Sequence, residues 1–179
     1  MNVNLRSVFM GILSGNSQNE PMHYGEVSGT WAYLHTAKST MATMQTLINH
    51  TGDEDLKKLL EETMRATEEE MSQVEELLKI NEVGLPPTPP ERPVADLESI
   101  PVGARFNDAE ISMAMAADTA AGLVACSTIM GQAIREDIAM MFGQFHTSKA
   151  QLGLKYLRLN KEKGWLVPPP LHIVKAEPK

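Results

Sequence analysis

The chain has 179 residues, of which 42% are apolar and only 5% aromatic, with twelve methionines and a net charge of −7. This length suits one domain with a single core, and the aromatic-poor composition favours helices over sheets. The negative charge argues against nucleic acid as a partner, the single cysteine, Cys126, cannot build a thiolate metal site, and no apolar run approaches the roughly 20 residues of a membrane span.

The first residues are too weakly apolar for a signal peptide, so the expected compartment is the cytoplasm. Two helices are then predicted in the first half of the chain, because apolar residues repeat with helical spacing over residues 23–51 and 53–83. We expect Gly52 to end the first helix and the Asp53 side chain to cap the second. The turn between the helices is so short that they must form an antiparallel hairpin.

A proline-rich stretch follows the first hairpin. Residues 84–106 carry six prolines, and proline lacks the backbone donor that a helix needs, so this stretch is predicted to be extended. A connection of 23 residues can reach about 75 Å when extended. The predicted helices, of about 25 residues each, measure only about 38 Å. The connection can therefore cross the whole length of a bundle, which gives a reason for a connection this long in a compact domain.

The second half of the chain repeats the pattern with helices at 107–131 and 134–163. Asn107 and Glu110 form a near match to a capping box at the start of the third helix. Residues 165–179 should be an extended tail, with Trp165 and Leu166 pinning its start to the bundle. A hairpin, a long crossover and a second hairpin predict an all-α, ferritin-like four-helix bundle that forms a single domain, 1–179.

Four charged residues fall within the apolar stripes, each near the middle of its helix. At 100° per residue, Lys38 lies about 20° from Val27 and Glu70 about 40° from Leu56. Asp118 and Lys149 each lie about 20° from an apolar residue of their own stripe. Two acids and two bases at similar depth could form a neutral buried network of Lys38, Glu70, Asp118 and Lys149. Alternatively, the lysine stems cover apolar surface while their ammonium groups reach water.

A metal site is the third alternative for the bundle centre. Ferritin-like di-iron proteins use two Glu-x-x-His motifs, and this chain contains none, so we do not expect an ordinary di-iron centre. His35 and His146 flank the interior, and with Glu70 and Asp118 they could offer two imidazoles and two carboxylates to iron, zinc or manganese. Otherwise no cofactor is expected, because no nucleophile, phosphate-loop or haem-attachment motif occurs.

Four short motifs carry a resemblance to a known family: MHYGE at 22–26, NHTGDEDL at 49–56, LPPTPPERP at 85–93 and GWLVPPP at 164–170. With them, residues 11–172 resemble the uncharacterised candidate spore-coat proteins of spore-forming bacilli, a domain of unknown function. The resemblance implies a ferritin-like bundle and a tie to sporulation. It implies no reaction, substrate or catalytic residue.

These observations favour a structural or interaction protein over an enzyme. Coat proteins are candidate partners, and we expect a homo-oligomer, with a dimer as the first guess because twofold homodimers are the commonest assemblies. A divergent metal-binding protein is the alternative. A small-ligand carrier is a third possibility, because small residues on the third helix could leave a cavity between helices; they are Ala116, Ala117, Ala120, Ala121 and Gly122.

Overall fold

A computed structural model describes residues 20–170 and residue 172, and these residues contain four long helices and no strand. We number the helices α1 (Tyr24–Leu47), α2 (Glu54–Ile80), α3 (Asp108–Gln132) and α4 (Glu136–Glu162). α1 pairs with α2 and α3 with α4, while α1 also packs against α3 and α2 against α4. The predicted all-α bundle of two hairpins is confirmed.

The contacts at the helix ends fix the direction of each helix. The end of α1 meets the start of α3, because the Thr51 hydroxyl donates to the Asp108 carboxylate over 2.7 Å. The indole N–H of Trp31, in the first part of α1, donates to the Gly84 carbonyl just beyond α2 over 2.9 Å. α3 therefore runs parallel to α2, in the up-down-down-up order of ferritin-like bundles. We call the end at Thr51 the upper end and the end at Gly84 the lower end.

The crossover climbs along α1 from the lower end to the upper end, as predicted. Polar side chains of α1 hold its backbone: Gln45 accepts from the Arg92 N–H over 3.0 Å, and Asn49 donates to the Pro93 carbonyl over 3.0 Å. Contrary to the prediction, it is not extended throughout. Two 3-10 turns, Leu97–Ser99 and Val102–Ala104, form beyond the proline-dense part, where backbone N–H donors are available again.

The helix ends differ from the approximate predicted bounds by a few residues. α1 ends at Leu47 rather than at 51, and Gly52 does not end it. The turn that follows α1 contacts the end of the crossover instead, because His50 Nδ1 accepts a hydrogen bond from the Phe106 N–H over 3.2 Å. α2 ends at residue 80 rather than at 83, and α4 spans 136–162 rather than 134–163. By contrast, the predicted cap is confirmed, because the Asp53 carboxylate accepts from two backbone N–H groups of α2 at 3.0 Å each.

Capping boxes begin both α1 and α3. The Asn107–Glu110 box is confirmed with two reciprocal bonds of 2.9 Å. The box at α1 was missed: His23 caps the helix, and Glu26 accepts from the His23 N–H over 3.1 Å. The other oxygen of Glu26 accepts from the N–H groups of Ile134 and Arg135, both at 2.9 Å. One buried carboxylate thus joins the start of α1 to the turn between α3 and α4.

The core consists of two apolar clusters, one above the other. The lower cluster holds the aromatic rings of Tyr33, Phe142 and Phe145, and it includes the buried Cys126. The upper cluster is mostly aliphatic around Tyr156. Trp165 packs against the upper cluster and pins the start of the tail as predicted. Residues 1–19, residue 171 and residues 173–179 lie outside the described residues.

Candidate functional site

A polar layer lies between the two apolar clusters at mid-height of the bundle. α2 contributes Glu70, α4 contributes Lys149, and α1 contributes the hydroxyl of Tyr33. Glu70 is only 3% exposed, so it does not belong to a solvated helix face even though Glu68 and Glu69 beside it are exposed. This layer occupies the level at which ferritin-like di-iron proteins hold metal.

One oxygen of Glu70 organises the layer. Glu70 Oε2 accepts from the Tyr33 hydroxyl over 2.7 Å and from Lys149 Nζ over 2.8 Å. Burial raises the pKa of Tyr33 far above its usual value, and the nearby Glu70 charge adds to the increase. The second oxygen, Glu70 Oε1, is buried and has no hydrogen-bond partner among the described residues. Such an orphaned acceptor costs free energy, so it is the weakest point of the layer.

A glycine on α3 lets the lysine reach Glu70. A Cβ placed on Gly122 would lie 2.8 Å from Cδ and 3.0 Å from Cε of Lys149. The lysine stem therefore crosses the helix backbone at the one point where no side chain stands in its way. Sequence reasoning had identified Gly122 only as one of several small residues, because the crossing of the lysine cannot be read from a single helix.

The predicted four-residue network is only partly formed, and Lys38 is the main correction. Its ammonium group pairs with Glu75 at 2.9 Å and donates to the Pro86 carbonyl over 3.1 Å. The hydrogen bond from Lys38 is the largest of the effects that lower the pKa of Glu75. The proline-rich crossover covers this pair, so Lys38 is buried without reaching Glu70. The alternative in which its ammonium group extends into water is equally wrong, because the Lys38 side chain is only 4% exposed.

Asp118 lies at the edge of the layer rather than inside it. The residue is exposed, and its carboxylate accepts a long hydrogen bond of 3.4 Å from Thr40. Partial desolvation raises its pKa, while the positive charge of Lys149 acts in the opposite direction. Asp118 therefore feels Lys149 without pairing with it, since the two do not form an ion pair within 4.0 Å among the described contacts.

The structure does not assemble the four proposed metal ligands. His35 is exposed on α1, where its ring stacks on Trp31 with centroids 5.5 Å apart. His146 is half-buried on α4, and Glu70 is held by Tyr33 and Lys149. In the described part of the chain, no group of three or more His, Cys, Asp or Glu side chains is arranged to hold an ion. These residues therefore do not fit a four-ligand centre.

A cleft of about 420 Å³ opens between α1 and α3 beside the polar layer. Ala121, Gly122 and Ala125 line it from α3, and Lys149 and Asp118 reach its wall. The predicted small residues of α3 are thus divided between surfaces, because Ala117 and Ala120 face solvent and Ala116 packs against the upper cluster. The cleft is mostly apolar, and nothing in its lining identifies a ligand.

Comparison with known proteins gives relatives over nearly the whole chain. Residues 10–177 match a family described as proteins of unknown function, DUF3231. The uncharacterized protein YvdQ of Bacillus subtilis (strain 168) is 60% identical over 166 residues, which cover 93% of this chain and 98% of that protein.

Solved structures also match the chain, among them two that cover most of it. A crystal structure of a candidate spore coat protein from Bacillus halodurans C-125 is 59% identical, covers 89% of this chain and 100% of its own, and superposes with a TM-score of 0.88. A conserved hypothetical protein from Mycobacterium tuberculosis, 13% identical, covers 77% of this chain and 98% of its own with a TM-score of 0.59, and it supports the fold alone.

Proposed function

Since the chain belongs to the DUF3231 family of proteins of unknown function, we propose that it is a non-catalytic structural or interaction protein, made in the cytoplasm and then associated with the spore coat. The coat assignment is supported by the name given to the 59% identical protein of Bacillus halodurans. The non-catalytic assignment is supported by the chemistry of the bundle centre.

The observation that carries the proposal is the ion pair of Glu70 with Lys149. Its nitrogen and oxygen lie 2.8 Å apart, and both side chains are largely buried. In di-iron proteins of ferritin-like fold, carboxylates in the bundle core bind metal, whereas here a lysine ammonium group supplies the positive charge. A buried carboxylate that is paired and hydrogen-bonded within its own chain needs no cation from solution.

One observation favours the second candidate, a divergent metal-binding protein. Glu70 Oε1 lacks a partner among the described residues, and a cation would satisfy it. Elemental analysis of untagged protein, after incubation with iron, zinc and manganese, separates the candidates. We expect no stoichiometric metal. Metal that is bound by the wild type and by Glu69→Gln, but lost in Glu70→Gln or His146→Ala, would replace the non-catalytic proposal.

Localisation during sporulation tests the coat assignment. A fluorescent fusion of the full chain would be expressed in sporulating Bacillus subtilis that lacks its own 60% identical relative. We expect fluorescence in a ring around the forespore and recovery of the fusion in detergent extracts of coats from washed spores. The fluorescent protein alone, expressed from the same promoter, serves as the control.

A fusion that stays diffuse in the cytoplasm throughout sporulation, and is missing from the coat extract, would contradict the coat assignment. That result would leave the ion pair of the bundle centre unaffected, so it would redirect the search to cytoplasmic partners.

A further inference from the structure

The most apolar helix of the bundle is also poorly covered. Contrary to the expectation from the sequence, the described residues include one segment, Val102–Gln132, that is long and apolar enough to cross a membrane by length and composition alone. Only 22% of its most apolar part is buried, whereas the core helix of a soluble protein is normally apolar because it is buried. Between Glu110 and Arg135 the sequence has a single charge, Asp118.

Six of the exposed residues of α3 lie in one row along the helix. Steps of four, three, four, three and four residues separate them, which is the heptad spacing of helices that pair along their length. All six are exposed, and Met113 and Val124 are 47% and 67% exposed. We call these six residues the outer stripe: Met113, Ala117, Ala120, Val124, Ser127 and Gly131.

The outer stripe is complementary to itself when one copy is reversed. Its spacing reads the same in both directions about the level of residue 122, so a twofold axis there would place two stripes in register. Met113 would then face Gly131 of a second copy, and Val124 would face Ala120. Each large side chain meets a small one, and the remaining pair, Ala117 and Ser127, is small on both sides and permits close approach of the two helices.

Charge also favours a second copy over a lipid surface. The protein has a net charge of −7, so two copies repel each other least where their surfaces carry almost no charge. The exposed charged side chains nearest the two ends of α3 are acidic, at Glu110 and Glu136, whereas Arg135 is buried and paired with Asp137. Anionic membrane surfaces attract lysine and arginine, and no such residue lies on α3 itself.

We propose that the outer stripe of α3 binds the same stripe of a second copy of this chain, antiparallel and about a twofold axis at the level of residue 122. This inference deepens the proposed structural role by naming a partner, and it can be tested on purified protein without reference to the spore. Protein interfaces of standard size bury roughly 800 Å² per partner. Exposed residues of the neighbouring helix α4, such as Leu154, would add to the area that the outer stripe buries.

Measurement of the molar mass by size exclusion with light scattering is the first test. We expect twice the chain mass of 19.7 kDa for the wild type and for Gln73→Glu, which adds the same charge on an exposed position of α2. Ala120→Glu would place a charge at the centre of the pairing and should give monomers with an unchanged helical circular dichroism spectrum. A monomeric wild type, or a dimeric Ala120→Glu, would overturn the proposal.

Disulfide cross-linking tests the register. Equal amounts of Ala120→Cys and Val124→Cys, one with a mass tag, are mixed and oxidised with glutathione disulfide. We expect the mixed dimer to dominate, because these positions face each other. In the control mixture, Ala120→Cys with Met113→Cys, the two thiols lie 11 residues out of register, about 16 Å at 1.5 Å per residue. Equal cross-linking in both mixtures would contradict the register.

Flotation with vesicles of phosphatidylcholine and phosphatidylglycerol separates the lipid alternative. We expect the wild-type protein to stay at the bottom of the gradient. Protein that floats with the vesicles, and loses this property in Ala120→Glu, would overturn the pairing of two copies and assign the outer stripe to lipid.

Discussion

The polar layer and the outer stripe lie at the same height of the bundle, on opposite sides of α3, and they depart from the usual distribution of residues in opposite ways. The layer buries a glutamate and a lysine, whereas the stripe exposes methionine and valine. Within the layer, Glu70 Oε2 accepts hydrogen bonds from Tyr33 and Lys149 of the same chain. The stripe has no comparable cover from the described residues.

The difference indicates which region serves the folding of one chain and which is available to a partner. Buried charges must be paired for the chain to fold. An exposed apolar side chain costs a monomer little, but a continuous exposed row is typical of an interaction surface. Changes in the layer should therefore alter the free energy of unfolding, and changes in the stripe should alter association.

The largest expected effect follows from removal of the carboxylate. Glu70→Ala leaves the Lys149 ammonium group largely buried without a counter-charge, so the free energy of unfolding should fall by about 3–5 kcal/mol. Urea unfolding followed by circular dichroism measures this change. Glu69→Ala, at the exposed neighbouring position, is the control and should change stability by less than about 0.5 kcal/mol.

The double substitution Glu70→Met with Lys149→Met sharpens this result. If the pair is a structural element, apolar side chains of similar size should restore most of the stability, because the cost of desolvating two charges also disappears. A double variant as unstable as Glu70→Ala would show that the layer contributes more than the pairing of two charges.

Tyr33→Phe should have the second largest effect. The substitution removes a buried 2.7 Å hydrogen bond to a carboxylate, a loss of about 2 kcal/mol at neutral pH. Burial raises the pKa of Tyr33 in the folded protein. Its contribution is therefore fully present below the ordinary tyrosine pKa of about 10 and is lost as the pH rises above that value.

The difference in unfolding free energy between wild type and Tyr33→Phe should consequently narrow above pH 10. Tyr24→Phe is the control. Tyr24 is 94% exposed, so this substitution should leave the unfolding free energy unchanged both at neutral pH and above pH 10. Tyr156, whose pKa burial raises to about 12, is present in all three proteins and cancels in the comparison. If the difference in unfolding free energy between wild type and Tyr33→Phe stays constant with pH, the stabilisation does not come from the buried, protonated Tyr33 hydroxyl.

Gly122→Ala tests the point where the two regions meet. Alanine favours a helix over glycine by about 1 kcal/mol, but its Cβ would displace the Lys149 stem. We expect a net loss of about 1 kcal/mol in the wild type. In a Lys149→Met background, where no ammonium group must reach Glu70, the same substitution should cost less or stabilise. An equal gain in both backgrounds would show that Lys149 shifts freely.

The sequence was sufficient for the order of the helices and for the crossover, because periodicity, prolines and caps are local signals. It also placed Glu70 and Lys149 toward the interior. It could not give the partner of Lys38, since a helical wheel gives the direction of a side chain but not which residue of another helix, or of a crossover, lies opposite. Glu75 and Pro86 therefore went unrecognised.

The outer stripe was missed for a different physical reason. α3 has apolar or small residues on nearly every side, so its periodicity cannot show which side is buried. In α1 the opposite difficulty arose, because the buried Glu26 and Thr30 interrupt its apolar pattern. In both helices the apolar residues are not the same as the buried residues. α1 and α3 line the cleft, and α3 also carries the outer stripe.

The smallest expected effect concerns Asp118, the one charge on the central part of α3. Partial desolvation raises its pKa in the folded protein, so the wild type loses stability as the pH rises from below the ordinary aspartate pKa of about 3.9 through the raised value. Asp118→Asn should therefore be equal to wild type near pH 3 and more stable at pH 7. Because the side chain is exposed, solvent screening limits the gain to a few tenths of a kcal/mol. Urea unfolding at the two pH values measures it, and a loss of stability at pH 7 would mean that attraction to Lys149 outweighs desolvation.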